Sequence, residues 1–140
     1  VLAIKIIAKI MENFFFKGQK FTPTIDFNGE TGVLSIEGQS YPEHAEEVFA
    51  PVFEWLDRYL ETPNRAITLN FQLSYFNTAT SRRFQDLLET LEIYEKEKNG
   101  SVIINWHYRE DDYDMLENGE DYIEAIDLNI NLVSVKHSEK

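Results

Sequence analysis

Apolar residues change their spacing repeatedly through the second half of the chain, and this constrains the fold more than any single motif. In AITLNFQL (66–73), Ile67, Leu69, Phe71 and Leu73 alternate with Thr68, Asn70 and Gln72, the period of a strand with one buried face. Phe84, Leu87, Leu88, Leu91 and Tyr94 then recur at helical spacing within residues 79–98, and Asn99-Gly100 supplies a stop. SVIINWHY (101–108) begins too apolar for an exposed strand and reads as a central one. Residues 109–128 read as a loop and then a helix, and NINLVSV (129–135) as a last strand. Strands alternating with helices imply a largely parallel sheet. Right-handed crossovers would place residues 74–80 at the carboxyl ends of its strands, where ligands and partners dock in open α/β sheets.

The first half adds a different element. ENFFFKG suggests a short strand, and Phe14, Phe15 and Phe16 cannot all face inward from it, because successive side chains alternate. TPTIDF and VLSIEG flank NGETG as a hairpin, with Gly29 and Gly32 expected to supply positive φ. In SYPEHAEEVFAPVFEWLDRYLET, Pro42 suits a first helical turn with Glu43, Glu46 and Glu47 at its positive end. Val48, Val52, Phe53, Leu56, Tyr59 and Leu60 form the expected inward stripe, and Pro51 predicts a kink or break near residues 47–51. The fold class is therefore α/β, with an N-terminal hairpin followed by alternating helices and strands in a mixed sheet with a parallel part.

The chain has 140 residues, a common size for one domain, and 43% of them are hydrophobic, enough for a sizeable core. A net charge of −12 argues against nucleic acid and anionic membrane surfaces, and permits a basic protein partner. The absence of cysteine excludes disulfides, thiol catalysis and Cys-ligated zinc, and fits a cytoplasmic location. VLAIKIIAKI (1–10) is far short of the roughly 20 residues that span a bilayer, and Lys5 and Lys9 interrupt it. Residues 1–10 read as an upstream extension or an expression-derived segment, 11–135 as a single domain, and 136–140 as a flexible tail. An extra edge strand or short helix is the competing reading of residues 1–10.

The junction FQLSYFNTATSRRF (71–84) carries the chemistry of most interest. Thr78, Thr80 and Ser81 crowd the mouth of a helix, and Arg82 and Arg83 follow. One hydroxyl suffices to cap a helix, so capping alone leaves the others unexplained. A helix N-terminus also favours anions, and a phosphate esterified there would carry nearly two negative charges within reach of the arginines. Tyr75 and Phe76 beside this cluster are candidates for a docking patch. A plain capped helix with two solvated arginines explains the same residues.

Other signals are weaker. Residues 109–127 hold nine carboxylates, Asp111 and Asp112 among them, and read as a solvated face, a surface for a basic partner or a metal site. Their spacing does not match a calcium loop, and there is no glycine-rich phosphate loop or nucleophile elbow. His44, His107 and His137 are unpaired in sequence. A small metal-dependent hydrolase using residues 110–121 is the rival function, and an adaptor that is never phosphorylated is a third.

MENFFFKGQKFTPTIDFNGETGVLSIEGQSYPEHAEEVFAPVFEWLDRYL, LNFQLSYFNTATSRRFQDLLETLE and VIINWHYREDDYDMLENGEDY together resemble the SiaC family of bacterial regulatory phosphoproteins, from about Met11 to Val135. The resemblance implies a STAS-like, anti-sigma-factor-antagonist-like fold and a non-enzymatic role in partner switching, with no cofactor. It implies a kinase of the histidine-kinase-like ATPase class, a PP2C-type phosphatase, and an effector such as a diguanylate cyclase bound by the unphosphorylated form, linking the chain to biofilm regulation. The family's Asn-Thr pair matches Asn77-Thr78, making Thr78 the implied acceptor, with Thr80 and Ser81 as alternatives. Asn77, Arg82 and Arg83 would form the phosphate environment, and Tyr75, Phe76, Asp111 and Asp112 the partner surface. Ala79-Thr80 stands where the family would have two small hydroxyl residues, which weakens any assistance from neighbouring hydroxyls.

Overall fold

The structure, a computed structural model, describes residues 12–136; the expectations for residues 1–10 and for the tail beyond Lys136 lie outside them. Among the described residues six strands form one sheet in chain order: β1 (Phe14–Phe16), β2 (Thr24–Asn28), β3 (Val33–Ser40), β4 (Ala66–Phe76), β5 (Ser101–Arg109) and β6 (Asn129–Val135). β1, β2 and β3 pair antiparallel, and β3 to β6 pair parallel. Helices α1 (Ala45–Tyr59), α2 (Thr78–Glu97) and α3 (Tyr113–Ala125) make the three parallel crossovers. Because every crossover steps to the next strand in the same direction, right-handedness lays all three helices on one face.

Burial follows from that. Ile25, Phe27, Leu34, Ile36, Ile67, Leu69, Phe71, Val102, Ile104 and Trp106 point under the helices and form one core with their apolar stripes. Among the described residues the opposite face carries no helix, and polar side chains predominate on it. Asn70, Asn105 and Asn131 stand in register across it, the Asn105 amide donating to Asn70 at 2.9 Å and the Asn131 amide to Asn105 at 3.2 Å. Phe15 also looks out, while Phe14 and Phe16 pack against the core, as strand alternation requires.

Three expectations shift. The first helix begins at Ala45, after Pro42, and runs unbroken through Pro51. Pro51 is exposed, so its ring lies toward solvent while Phe49 and Val52 keep their core contacts. The inward stripe is Ala45, Phe49, Val52, Trp55, Leu56 and Tyr59, turned slightly from the expected one, with Val48 and Phe53 only partly buried. In the hairpin only Gly32 takes positive φ (76°), and Gly29 does not. Gly32 also passes so close to the Ala66 carbonyl that a Cβ would collide with it.

Candidate functional site

The carboxyl ends of β3, β4 and β5 gather the residues of interest. β4 pairs with β3 in simple register up to Leu73↔Gly38, but the next pair is Tyr75↔Gln39. Ser74 is thus the extra residue of a β-bulge. Unbroken alternation would send Tyr75 inward after Leu73; the bulge instead leaves Tyr75 54% exposed and turns Phe76 inward. Phe76 packs against Phe84 and Trp106, with ring centroids 5.2 and 5.8 Å away. Of the two aromatic candidates, Tyr75 is on the surface and Phe76 is a core contact. Tyr75 continues into an edge-to-face row with Tyr41 (5.9 Å) and Phe21 (5.1 Å from Tyr41).

The chain then enters α2. Asn77 is the N-cap, its side-chain oxygen accepting from the Thr80 amide at 2.9 Å, so a side-chain amide does the work the hydroxyls were expected to do. Its own Nδ2 donates to the Pro42 carbonyl at 3.3 Å, fixing the turn against the segment before α1. The three hydroxyls have separate environments. Thr80 is fully buried, its Oγ1 2.8 Å from Ser40 Oγ and donating to the Ser40 carbonyl at 3.3 Å. Ser81 is half-buried, its Oγ 2.9 Å from the Tyr122 hydroxyl, which itself donates to the Ser81 carbonyl at 3.0 Å. Burial pushes the Tyr122 phenol up to about 12, against a smaller opposing effect of the Ser81 bond. Thr78, at the first helical position, is exposed, and its hydroxyl makes no hydrogen bond among the described residues.

The arginines also differ. Arg83 is bound to Asp86 at 3.1 Å and approaches Glu46 at 4.0 Å. Arg82 is exposed, makes no ion pair among the described residues, and lies one turn beyond Thr78 at i+4. Both line a recess of about 290 Å³ between the starts of α1 and α2, with Glu43, His44, Glu46, Glu47 and Ala79 on its other walls. Two helix N-termini therefore open toward one solvent-filled groove.

On the far side of β4, Ser74, Arg109, Asp111, Asp112, Tyr113 and Asp114 line a second recess. Asp111 is exposed and stands 3.7 Å from Arg109. Asp112 caps α3 by accepting from the Met115 amide at 3.0 Å, a structural task its place in an acidic run did not reveal. Tyr113 is 75% exposed. The acidic helix lies directly on Trp106, whose indole donates to the Met115 carbonyl at 2.9 Å; Gly119 leaves room for the ring that any side chain would take. Among the described residues no three carboxylate or histidine side chains converge as a metal would need. His107 is half-buried, with Nδ1 3.1 Å from the Phe71 carbonyl. No helix among the described residues is long and apolar enough to cross a membrane.

Sequence reasoning missed Ser40, Tyr41, Phe21 and Tyr122. Ser40 and Tyr122 lie about forty residues from their partners, beyond any local pattern.

Comparison with known proteins identifies the fold and the family. The chain is 35% identical over 99 residues, 70% of its length and 77% of the relative's, to the uncharacterized protein PA14_02130 of Pseudomonas aeruginosa (strain UCBPP-PA14). Its fold matches the crystal structure of apo-SiaC from Pseudomonas aeruginosa with a TM-score of 0.80 at 30% identity, over 88% of this chain and 99% of that one. It also matches a chain of the crystal structure of the diguanylate cyclase SiaD in complex with its activator SiaC from the same organism, with a TM-score of 0.82 at 29% identity over 87% and 99% of the two chains. The model of the SiaC family regulatory phosphoproteins matches residues 16–135, and the chain belongs to that family.

Proposed function

We propose that this chain is a non-enzymatic, cytoplasmic partner-switching regulator whose Thr78 is reversibly phosphorylated and whose unphosphorylated form binds an effector, a diguanylate cyclase. The observation that carries the reading is the separation of the three hydroxyls. Thr80 is sealed in the core and Ser81 is bound to Tyr122, whereas Thr78 is exposed beside the electropositive start of α2. Burial argues against Thr80 as an acceptor, and Ser81 would have to give up its bond to Tyr122 first. A phosphate on Thr78 would gain from the helix dipole and from Arg82 one turn away.

The partner surface in this reading is the neighbouring edge: Tyr75 with Tyr41 and Phe21, and Tyr113 with Asp111 across the bulge. Exposed aromatics rimmed by charge are what a docking surface needs. A dianion added at its border would face the acidic rim and require desolvation in any complex, so the effector leaves without a change of fold. The relative bound to a diguanylate cyclase supports the choice of effector. Membership in a family of regulatory phosphoproteins supports a kinase of the histidine-kinase-like ATPase class and a PP2C-type phosphatase as the writing and erasing enzymes.

The test is to incubate the chain with such a kinase and ATP, map the phosphate by mass spectrometry, and titrate the effector against the wild type and Thr78→Glu. The phosphate is expected on Thr78, and Thr78→Glu should bind at least about tenfold more weakly, or about 1.4 kcal/mol. Phosphate on another residue, or full effector binding by Thr78→Glu, would sink the reading.

A further inference from the structure

We propose that the outer edge of β6 pairs antiparallel with the same edge of a second copy, about a two-fold axis at Leu132, joining two six-stranded sheets into one. The two edges of the sheet are built differently. β1 has three residues, and a short edge strand offers little to pair with. β6 has seven residues in unbroken register with β5, with no charge, proline or glycine between Asn129 and Val135, in a chain that is 27% charged. The charges, prolines and bulges that usually guard an edge are missing from Asn129–Val135.

Its backbone groups are placed for pairing. The Val135 carbonyl accepts from the Glu110 amide, so Val135 turns its backbone groups toward β5. Groups alternate along a strand, so Ile130, Leu132 and Ser134 turn theirs outward. The core is also incomplete there. Ile67, Leu69, Phe71, Val102, Ile104 and Trp106 of the interior strands are at most 2% exposed, whereas Ile130 and Leu132 point the same way and remain only half-buried.

The strand's ends favour its own copy. About an axis at Leu132, Leu132 opposes itself and Ile130 opposes Ser134, so outward backbone groups meet outward groups. The same register sets exposed Lys136 opposite Leu128 of the second copy, beside its Asp127, an exposed acid that also pairs with Lys96 of its own chain at 3.3 Å. A parallel arrangement would align Lys136 with Lys136 instead. A two-fold axis is the commonest symmetry of soluble oligomers.

Sedimentation of the full chain up to about 500 µM tests this. The wild type should approach twice the chain mass of 16.4 kDa. Ser134→Pro removes an outward N–H without touching the β5 ladder and should remain monomeric where the wild type is mostly dimeric. Because the chain has no cysteine, Leu132→Cys gives an independent reading. Self-opposed residues bring their Cα atoms to about 5.5 Å, within disulfide range, so oxidation should link two chains. Val33→Cys, exposed on the helix-free face, should not link. A wild type that stays monomeric, a folded Ser134→Pro that still dimerises, or a dimer that does not cross-link through Leu132→Cys overturns the proposal. If Ser134→Pro does not fold, the cross-link decides.

Discussion

The two ends of the parallel sheet are held in opposite ways. At the amino ends of the strands the last turns of α1 and α2 are tied down by tyrosines. The Tyr59 hydroxyl donates to the Gly29 carbonyl at 2.9 Å, and the Tyr94 hydroxyl donates to Thr62 at 2.6 Å while accepting from the Arg65 amide at 3.0 Å. The Arg65 guanidinium lies 3.9 Å from the Tyr59 ring centroid, and its Nε donates to the Tyr59 carbonyl at 3.0 Å. At the carboxyl ends Tyr75 and Tyr113 point to water, and the Thr78 hydroxyl is exposed. The same residue type thus fastens one end and decorates the other. The difference teaches that the fastened end serves stability alone, so substitutions there should leave the proposed docking surface intact, while at the open end bonded and unbonded hydroxyls stand side by side.

The largest expected effect breaks the fastened end. Tyr94→Ala removes a ring that is 3% exposed together with two hydrogen bonds, and should cost about 3–5 kcal/mol in urea unfolding. Effector affinity measured on the folded fraction should not move; if it does, the two ends are coupled. Next is a pair at the open end. Thr80→Val leaves the buried Ser40 hydroxyl without its partner and should cost about 1–3 kcal/mol, whereas Thr78→Val should stay within about 0.5 kcal/mol of the wild type while abolishing kinase-dependent labelling. Equal stability losses for the two would erase the distinction between them. Asn77→Ala, which removes the cap, should cost about 1 kcal/mol by the same measurement.

The smallest effect near neutrality is an alkaline one at Tyr122. Its phenol is raised from an ordinary value near 10 to about 12 by burial, so the folded state holds the proton more tightly than the unfolded chain. The contribution is complete below pH 10 and is lost as pH rises toward 12. Tyr122→Phe should flatten that part of the stability-against-pH curve, and ultraviolet titration of the phenols should lose its latest step.

Much of this was legible in the residues. NINLVSV (129–135) reads as the last strand and is one, and the parallel half follows from the alternation of strand and helix periods. The burial of Thr80 was also within reach. It stands four residues before Phe84, on the line continued by Leu87, Leu88, Leu91 and Tyr94, while Thr78 and Arg82 fall on the wet side. Three hydroxyls read together as a cluster hid the helical phase that separates them. The bulge at Ser74 was not legible, because an extra residue in a ladder is a property of two strands, and only the β3 register reveals it. Pro51 misled for a related reason: a proline disrupts a helix when its ring is driven against packed neighbours, and which side would be wet depended on the phase of the whole stripe.

That the helix is closed by the amide of Asn77, and not by the hydroxyl next to it, has a consequence for turnover. Esterifying Thr78 would consume no bond on which folding depends. The mark could then be added and stripped many times in the life of one molecule, with no partly unfolded form offered to proteases along the way.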